Sequence, residues 1–205
     1  METTLPLLFA AVVGFGHAFE ADHLVAVGNI ATKRNNMNLA IKDGIYWGLG
    51  HTSTIFLIGL IIIVGKATFL DGYFGYFEAG VGLMLVLLGL YRLYEYNQKK
   101  GHVHELMDEE HNHHLAYGVG LIHGLAGSGA MILLVMTEIE TVWSSLVYLL
   151  IFGLGSVIGM LIAAGAFSLP FSKKIMANQN IQLGLIILSS LICIGYGGYV
   201  IFENL

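Results

Sequence analysis

The chain has 205 residues, 56% of them hydrophobic and only 11% charged. A soluble domain carries about a quarter charged residues, so that class is excluded and an integral membrane protein is expected. The formal net charge of -5 gives no footing for nucleic-acid binding, and the single cysteine, Cys193, excludes an internal disulfide or a paired-thiol redox centre.

Each spanning helix needs about 20 apolar residues. Six such windows follow one another: Leu5 to Ile30, Gly44 to Val64, Tyr73 to Tyr96, Leu115 to Met136, Val142 to Phe167 and Ile181 to Phe202. Glu2 stands where a signal peptide would be basic, and the first window is too long for its apolar core, so this window is expected to persist as a helix. The 27 glycines include Gly44/Gly48, Gly120/Gly124 and Gly155/Gly159, at the spacing that lets helix backbones approach in lipid.

The links carry nearly all the charge. Lys33, Arg34, Lys42, Arg92, Lys99, Lys100, Lys173 and Lys174 fall at the first, third and fifth links, leaving only Lys66 of the nine Lys and Arg residues on the other side. Basic residues stay cytoplasmic. A multi-pass cell-membrane protein is therefore expected, with both termini outside and the loop 97–114 inside.

A repeat is also visible. Val13-Gly14-Phe15-Gly16-His17 aligns with Val119-Gly120-Leu121-Ile122-His123, and Gly48-Leu49-Gly50 with Gly153-Leu154-Gly155. Three helices per half force the second half to insert upside down. The expected fold class is all-α: six transmembrane helices as two inverted three-helix repeats. Residues 1–98 form the first repeat, 99–114 a cytoplasmic His- and acid-rich loop, and 115–205 the second repeat.

Within the first window lies Gly16-His17-Ala18-Phe19-Glu20-Ala21-Asp22-His23. Ionisable groups cost several kcal/mol at membrane depth and usually face a partner or a water-filled path. Four of them so close together read as a cation site. On the expected topology His23 lies about 10 Å from the cytoplasmic end, and His51 and His123 about 12 Å from it. Three spans thus bring imidazoles to one level.

On a straight helix His17, Glu20 and His23 share a face about 120° wide, while Asp22 falls about 100° from His23. Either Asp22 orients a histidine from behind, or the helix is unwound near Gly14 and Gly16. Imidazole with carboxylate suits nickel, cobalt, zinc or iron, whereas copper(I) prefers sulfur and calcium and magnesium prefer oxygen. Met131, Met136 and Met160 read as flexible packing. The third link, with His102, His104, His111, His113 and His114 among Glu105, Asp108, Glu109 and Glu110, is a tract of the kind that binds metals weakly, or a solvated loop.

These residues resemble the nickel–cobalt transporter family. Its membrane helix with His-x4-Asp-His matches His17 to His23, with a second acid at Glu20, and its Leu-Gly-His-Ser/Thr motif matches Leu49-Gly50-His51-Thr52-Ser53. The string from Gly120 to Ser128 is similar to one in short relatives that stand near this family and near urease-accessory membrane proteins. The resemblance implies that His17, Asp22, His23 and His51 are needed to move a divalent cation. Gly16 departs from an arginine common in the family, Glu20 from an aspartate, and six expected helices from eight.

The function expected is transport of Ni2+ or Co2+, most simply uptake, with Zn2+ and Fe2+ also allowed by the donor set. Glu20 and His123 join the four motif residues along the ion path. No prosthetic group is expected; the partners are the metal ion, the bilayer and, as an open option, a second copy of the chain. The alternatives are metal efflux, an accessory role passing nickel to a metalloenzyme, and a histidine-box membrane enzyme. The last fits poorly, because the loop histidines lack a scaffold and His104-Glu105 lacks the second histidine of His-Glu-x-x-His. No nucleotide site is expected, as Gly-x4-Gly-Lys-Ser/Thr is missing from the sequence.

Overall fold

The computed structural model describes residues 4–31, 34, 36–65, 72–98, 113–126, 141–169 and 178–205. They form seven helices: α1 (Thr4–His17), α2 (Ala21–Ala31), α3 (Met37–Gly65), α4 (Phe74–Gln98), α5 (His114–Ala126), α6 (Val142–Ser168) and α7 (Gln179–Asn204). No strand occurs among the described residues. Four helices, α3, α4, α6 and α7, are long and apolar enough to cross a membrane, and the bent pair α1–α2 makes up to five. In α5 the helix is 13 residues, about 20 Å long against a hydrocarbon core of about 30 Å. The rest of the fourth sequence window, with Met131 and Met136, lies outside the described residues.

The first window folds as two helices with a 54° bend between Pro6–His17 and Ala21–Ile30. Phe19 N–H donates to the Gly16 carbonyl at 2.9 Å and Glu20 N–H to the His17 carbonyl at 3.1 Å, the tighter turn on which helices commonly end. The Glu20 carbonyl then accepts from Leu24 N–H at 3.0 Å and starts α2. The break falls at Ala18–Glu20 and not at the glycines, because both glycines lie within the regular part of α1. Elsewhere helix starts are capped by side chains: Thr141 Oγ1 accepts from Ser144 N–H, and Asn178 Oδ1 from Asn180 and Ile181 N–H.

The largest packing contacts join α3 with α6, α4 with α7, α3 with α5, and α1 with α6. Close approach requires glycine at both members of several matched positions. A Cβ on Gly14 would collide with the Phe152 carbonyl, and one on Gly120 with the Trp47 carbonyl. Gly155 likewise lies against the Ala11 carbonyl and Gly50 against that of Tyr117. Gly153 meets Thr52 as Gly48 meets Val157, and Gly159 meets Ala18 as Gly124 meets Thr54. All six glycines of the small-xxx-small pairs therefore sit at helix–helix contacts. Met160 is buried in the main core with Ala18, Trp47 and Ala164, while Leu57, Leu87, Leu154, Leu188 and Phe202 face outward, as lipid permits.

Candidate metal centre

The break in the first window decides where its polar groups go. His17 lies in the last turn of α1, and Asp22 opens α2, where the positive end of the helix dipole favours a carboxylate. His51 comes from mid-α3, His123 from α5. His17, His23, His51 and His123 are all buried.

Their rings form a continuous cluster. Ring centroids are 4.6 Å apart for His17 and His23, 5.1 Å for His17 and His51, 5.1 Å for His23 and His51, and 4.8 Å for His23 and His123. One donor atom from each of His17, His23 and His51 lies within 4.8 Å of the others, and the same holds for Asp22, His23 and His123. The two triplets share His23.

Carboxylates fix the tautomers. Asp22 Oδ1 accepts from His23 Nδ1 at 2.9 Å, and Glu20 Oε1 pairs with His17 Nδ1 at 2.9 Å. In a neutral ring a proton on Nδ1 leaves the Nε2 lone pair available for an ion. His17 Nε2 faces His51 Nε2 at 3.2 Å. Two nitrogens each about 2.0–2.1 Å from one ion would be about 2.9 Å apart at a right angle and about 3.4 Å at the tetrahedral angle, so this spacing suits a shared ion.

His23 Nε2, His51 Nδ1 and both His123 nitrogens are buried with no hydrogen-bond partner among the described residues. Buried polar atoms are almost always bonded, and clustered imidazole nitrogens of this kind are what a transition-metal ion would satisfy. Asp22 serves two residues: its Oδ2 lies 3.7 Å from His123 Nε2. The bend thus removes the conflict of the straight helix, with Asp22 lying behind His23 on the bent helix pair.

Glu20 differs from the others. Its side chain is 58% exposed, so it stands at the rim and reaches the cluster only through His17. Of the loop histidines, His102, His104 and His111 lie outside the described residues. His114 is exposed at the start of α5, and His113 bonds to Asp43 Oδ1 at 2.6 Å.

Sequence reasoning missed the aromatic walls. Trp47 stacks on His23 at 5.5 Å and meets His123 edge-on at 5.6 Å, and Phe152 lies 5.5 Å from His17. Trp47 precedes His51 by one helical turn, a signal that the spacing rules offered.

Long apolar helices, a buried imidazole cluster at a bent helix pair and an orienting carboxylate together define a polytopic membrane protein built around a candidate transition-metal site. The comparisons agree with that class. The chain is 34% identical to the urease accessory protein UreH of Bacillus sp. (strain TB-90) over a 192-residue alignment that covers 86% of this chain and 84% of that one. It is also 30% identical to the high-affinity nickel transport protein of Cupriavidus necator over 89 residues, 42% of this chain and 25% of that protein. The chain belongs to the UreH family, whose members resemble nickel–cobalt transporters. No family model matches the chain, and no solved structure does.

Proposed function

We propose that this protein carries a divalent transition-metal ion, nickel or cobalt, across the cell membrane in the inward direction. The observation that carries the reading is the convergence of donor atoms from His17, His23 and His51 within 4.8 Å at the bent helix pair. His17, Asp22, His23, His51 and His123 form the ion path, and Glu20 receives the ion at its rim. Zinc and iron(II) share the donor preference; magnesium and calcium do not. The membrane potential supplies about 4.6 kcal/mol per 100 mV for a divalent ion moving inward. No catalytic step is assigned to the chain.

The architecture proposed is six spans in two inverted repeats, 1–98 and 115–205, joined by a cytoplasmic loop over 99–114, with both termini outside. The matched glycine contacts support it. Gly14 against Phe152 and Gly120 against Trp47 exchange roles under the register that aligns the two halves, as do Gly155 with Ala11 and Gly50 with Tyr117. The distribution of Lys and Arg supports the orientation.

A second reading has one observation in its favour: the relative matched over most of its length is named an accessory protein. On that reading the chain binds nickel and passes it to a metalloenzyme. Accumulation of radioactive nickel, cobalt and zinc in cells expressing the chain, with His23→Ala as control, tests both. Raised nickel or cobalt that the variant abolishes supports uptake. Lowered content supports efflux, and unchanged content with intact nickel binding by the purified protein favours the accessory role.

A further inference from the structure

A second concentration of buried charge lies on α3, eight residues before His51. Asp43 is 3% exposed, and Arg34, between α2 and α3, is 7% exposed. Arg34 Nε donates to Asp43 Oδ2 at 2.6 Å and Nη2 to Oδ1 at 3.1 Å, a two-pronged pair. From the head of α5, His113 Nδ1 donates to the same Oδ1 at 2.6 Å. The His113 ring stacks on Tyr46 at 4.9 Å with planes 13° apart. Two separate segments of chain close on this one carboxylate of α3.

This carboxylate is in line with the histidine cluster. Asp43, Trp47 and His51 occur at i, i+4 and i+8, along one slowly turning face of α3 and over about 12 Å of its axis. Val27, Ile30, Ala40 and Ala164 line a small, largely apolar cavity whose α3 side is formed by Asp43, Gly44 and Trp47. Trp47 in turn stacks on His23. The order along the helix is therefore imidazole cluster, indole, cavity, carboxylate.

Packing alone does not call for such a pair. A buried ion pair must overcome the desolvation of both charges, and apolar residues of similar size are often equally stable. What a carboxylate beside an imidazole offers in addition is an oxygen and a nitrogen donor, a set that divalent transition metals accept. The guanidinium is a tethered cation held against that set.

We infer that Arg34, Asp43 and His113 form a gate at this end of the path, in which Asp43 and His113 make a second, transient site for a divalent transition-metal ion and Arg34 holds it shut. The inference rests on the transport reading above. An ion leaving the histidine cluster passes Trp47, enters the cavity and reaches Asp43. There it displaces the guanidinium. With its proton on Nε2 instead of Nδ1, His113 then offers a nitrogen lone pair beside Asp43 Oδ1.

Two measurements on the full-length protein in detergent test this. The first places a thiol in the cavity with Ala40→Cys; the native Cys193 is buried and serves as a silent background. Reaction with a positively charged thiol reagent should be about tenfold faster in Arg34→Gln than with Arg34 intact, equivalent to about 1.4 kcal/mol in the open fraction. Arg34→Lys should bring the rate back toward the starting value. The second is nickel stoichiometry by equilibrium dialysis. Arg34→Gln should bind one ion more than the unmodified protein, and Arg34→Gln with Asp43→Asn should lose that ion again.

Should Arg34→Gln fail to yield monodisperse protein, Asp43→Asn with Arg34 retained takes its place in the labelling assay and should also accelerate it. Unchanged labelling and unchanged stoichiometry overturn the gate. If His51→Ala still lowers nickel binding in the same preparations, the transport reading survives that failure. If His51→Ala also leaves binding unchanged, both fall.

Discussion

His17 Nε2 and His51 Nε2 stand 3.2 Å apart across the boundary between α1 and α3, from positions 34 residues apart in the chain. The pairing follows from α1 and α3 each packing against α6, which brings the two rings together. His51→Ala takes away one side of the pair and leaves His17 Nε2 facing a void. Nickel affinity of the purified protein should fall by more than the roughly 100-fold that marks the upper end for loss of a merely orienting partner. Isothermal titration in detergent measures it, and an unchanged affinity would remove His51 from the ion path.

Asp22 acts differently. Its oxygens address His23 at 2.9 Å and His123 at 3.7 Å, so its main effect is to hold His23 with Nε2 free. Asp22→Asn preserves shape but loses the charge that favours this tautomer. Affinity for nickel should drop by about 10–100-fold, less than for His51→Ala. Asp22→Glu, which keeps the charge at a longer reach, should recover part of the loss. If Asp22→Asn costs more than His51→Ala, Asp22 binds the ion directly and is not an orienting group.

The glycine contacts make a structural prediction that is independent of the metal. Gly14→Ala and Gly120→Ala push a methyl group into the carbonyls of Phe152 and Trp47. Overpacking of this kind costs about 1–3 kcal/mol, and the two substitutions should cost similar amounts if the halves are related by an internal two-fold. In α7, Gly195 has nothing within 4 Å of the added atom. Gly195→Ala should therefore be neutral or stabilise by up to about 1 kcal/mol. Thermal unfolding in detergent compares all three. Equal losses at Gly14 and Gly195 would mean that close approach is not the reason for glycine.

How much of this was legible follows from what each signal depends on. Apolar windows identify spans because lipid demands a hydrophobic surface at every turn, and α3, α4, α6 and α7 occupy four of them. The interruption of the first window was legible in kind but not in place. Glycine suggested residues 14 and 16, yet Gly14 is used for contact with α6, and the turn falls where Glu20 restarts the helix. The histidines were legible as a set because ionisable groups are scarce among apolar residues. Trp47 was not, since an aromatic residue in an apolar helix carries no such contrast. Asp43 was passed over for a related reason: its partners Arg34 and His113 lie 9 and 70 residues away, and helix periodicity says nothing about pairing across segments. The histidines of the third link resolve into separate cases, with His113 docked on Asp43 and His102, His104 and His111 outside the described residues.

The last prediction uses the two tryptophans as reporters. Trp47 is buried against His23 and His123, with centroids 5.5 and 5.6 Å away. Trp143, near the start of α6, is 76% exposed. Nickel(II) and cobalt(II) have partly filled d shells and quench the emission of an indole in van der Waals reach of their ligands. Zinc(II), with a filled shell, does not quench by that route. In Trp143→Phe Trp47 is the remaining indole, and nickel should quench its emission, excited at the red edge where tyrosine does not absorb, with a saturable dependence that matches the binding isotherm. In Trp47→Phe, nickel at the same concentrations should leave the remaining emission almost unchanged. Zinc should compete with the nickel quenching in Trp143→Phe while causing little of its own. Saturable quenching of Trp143 with Trp47 unaffected would place the bound ion away from the histidine cluster and would sink the assignment of that cluster as the ion site.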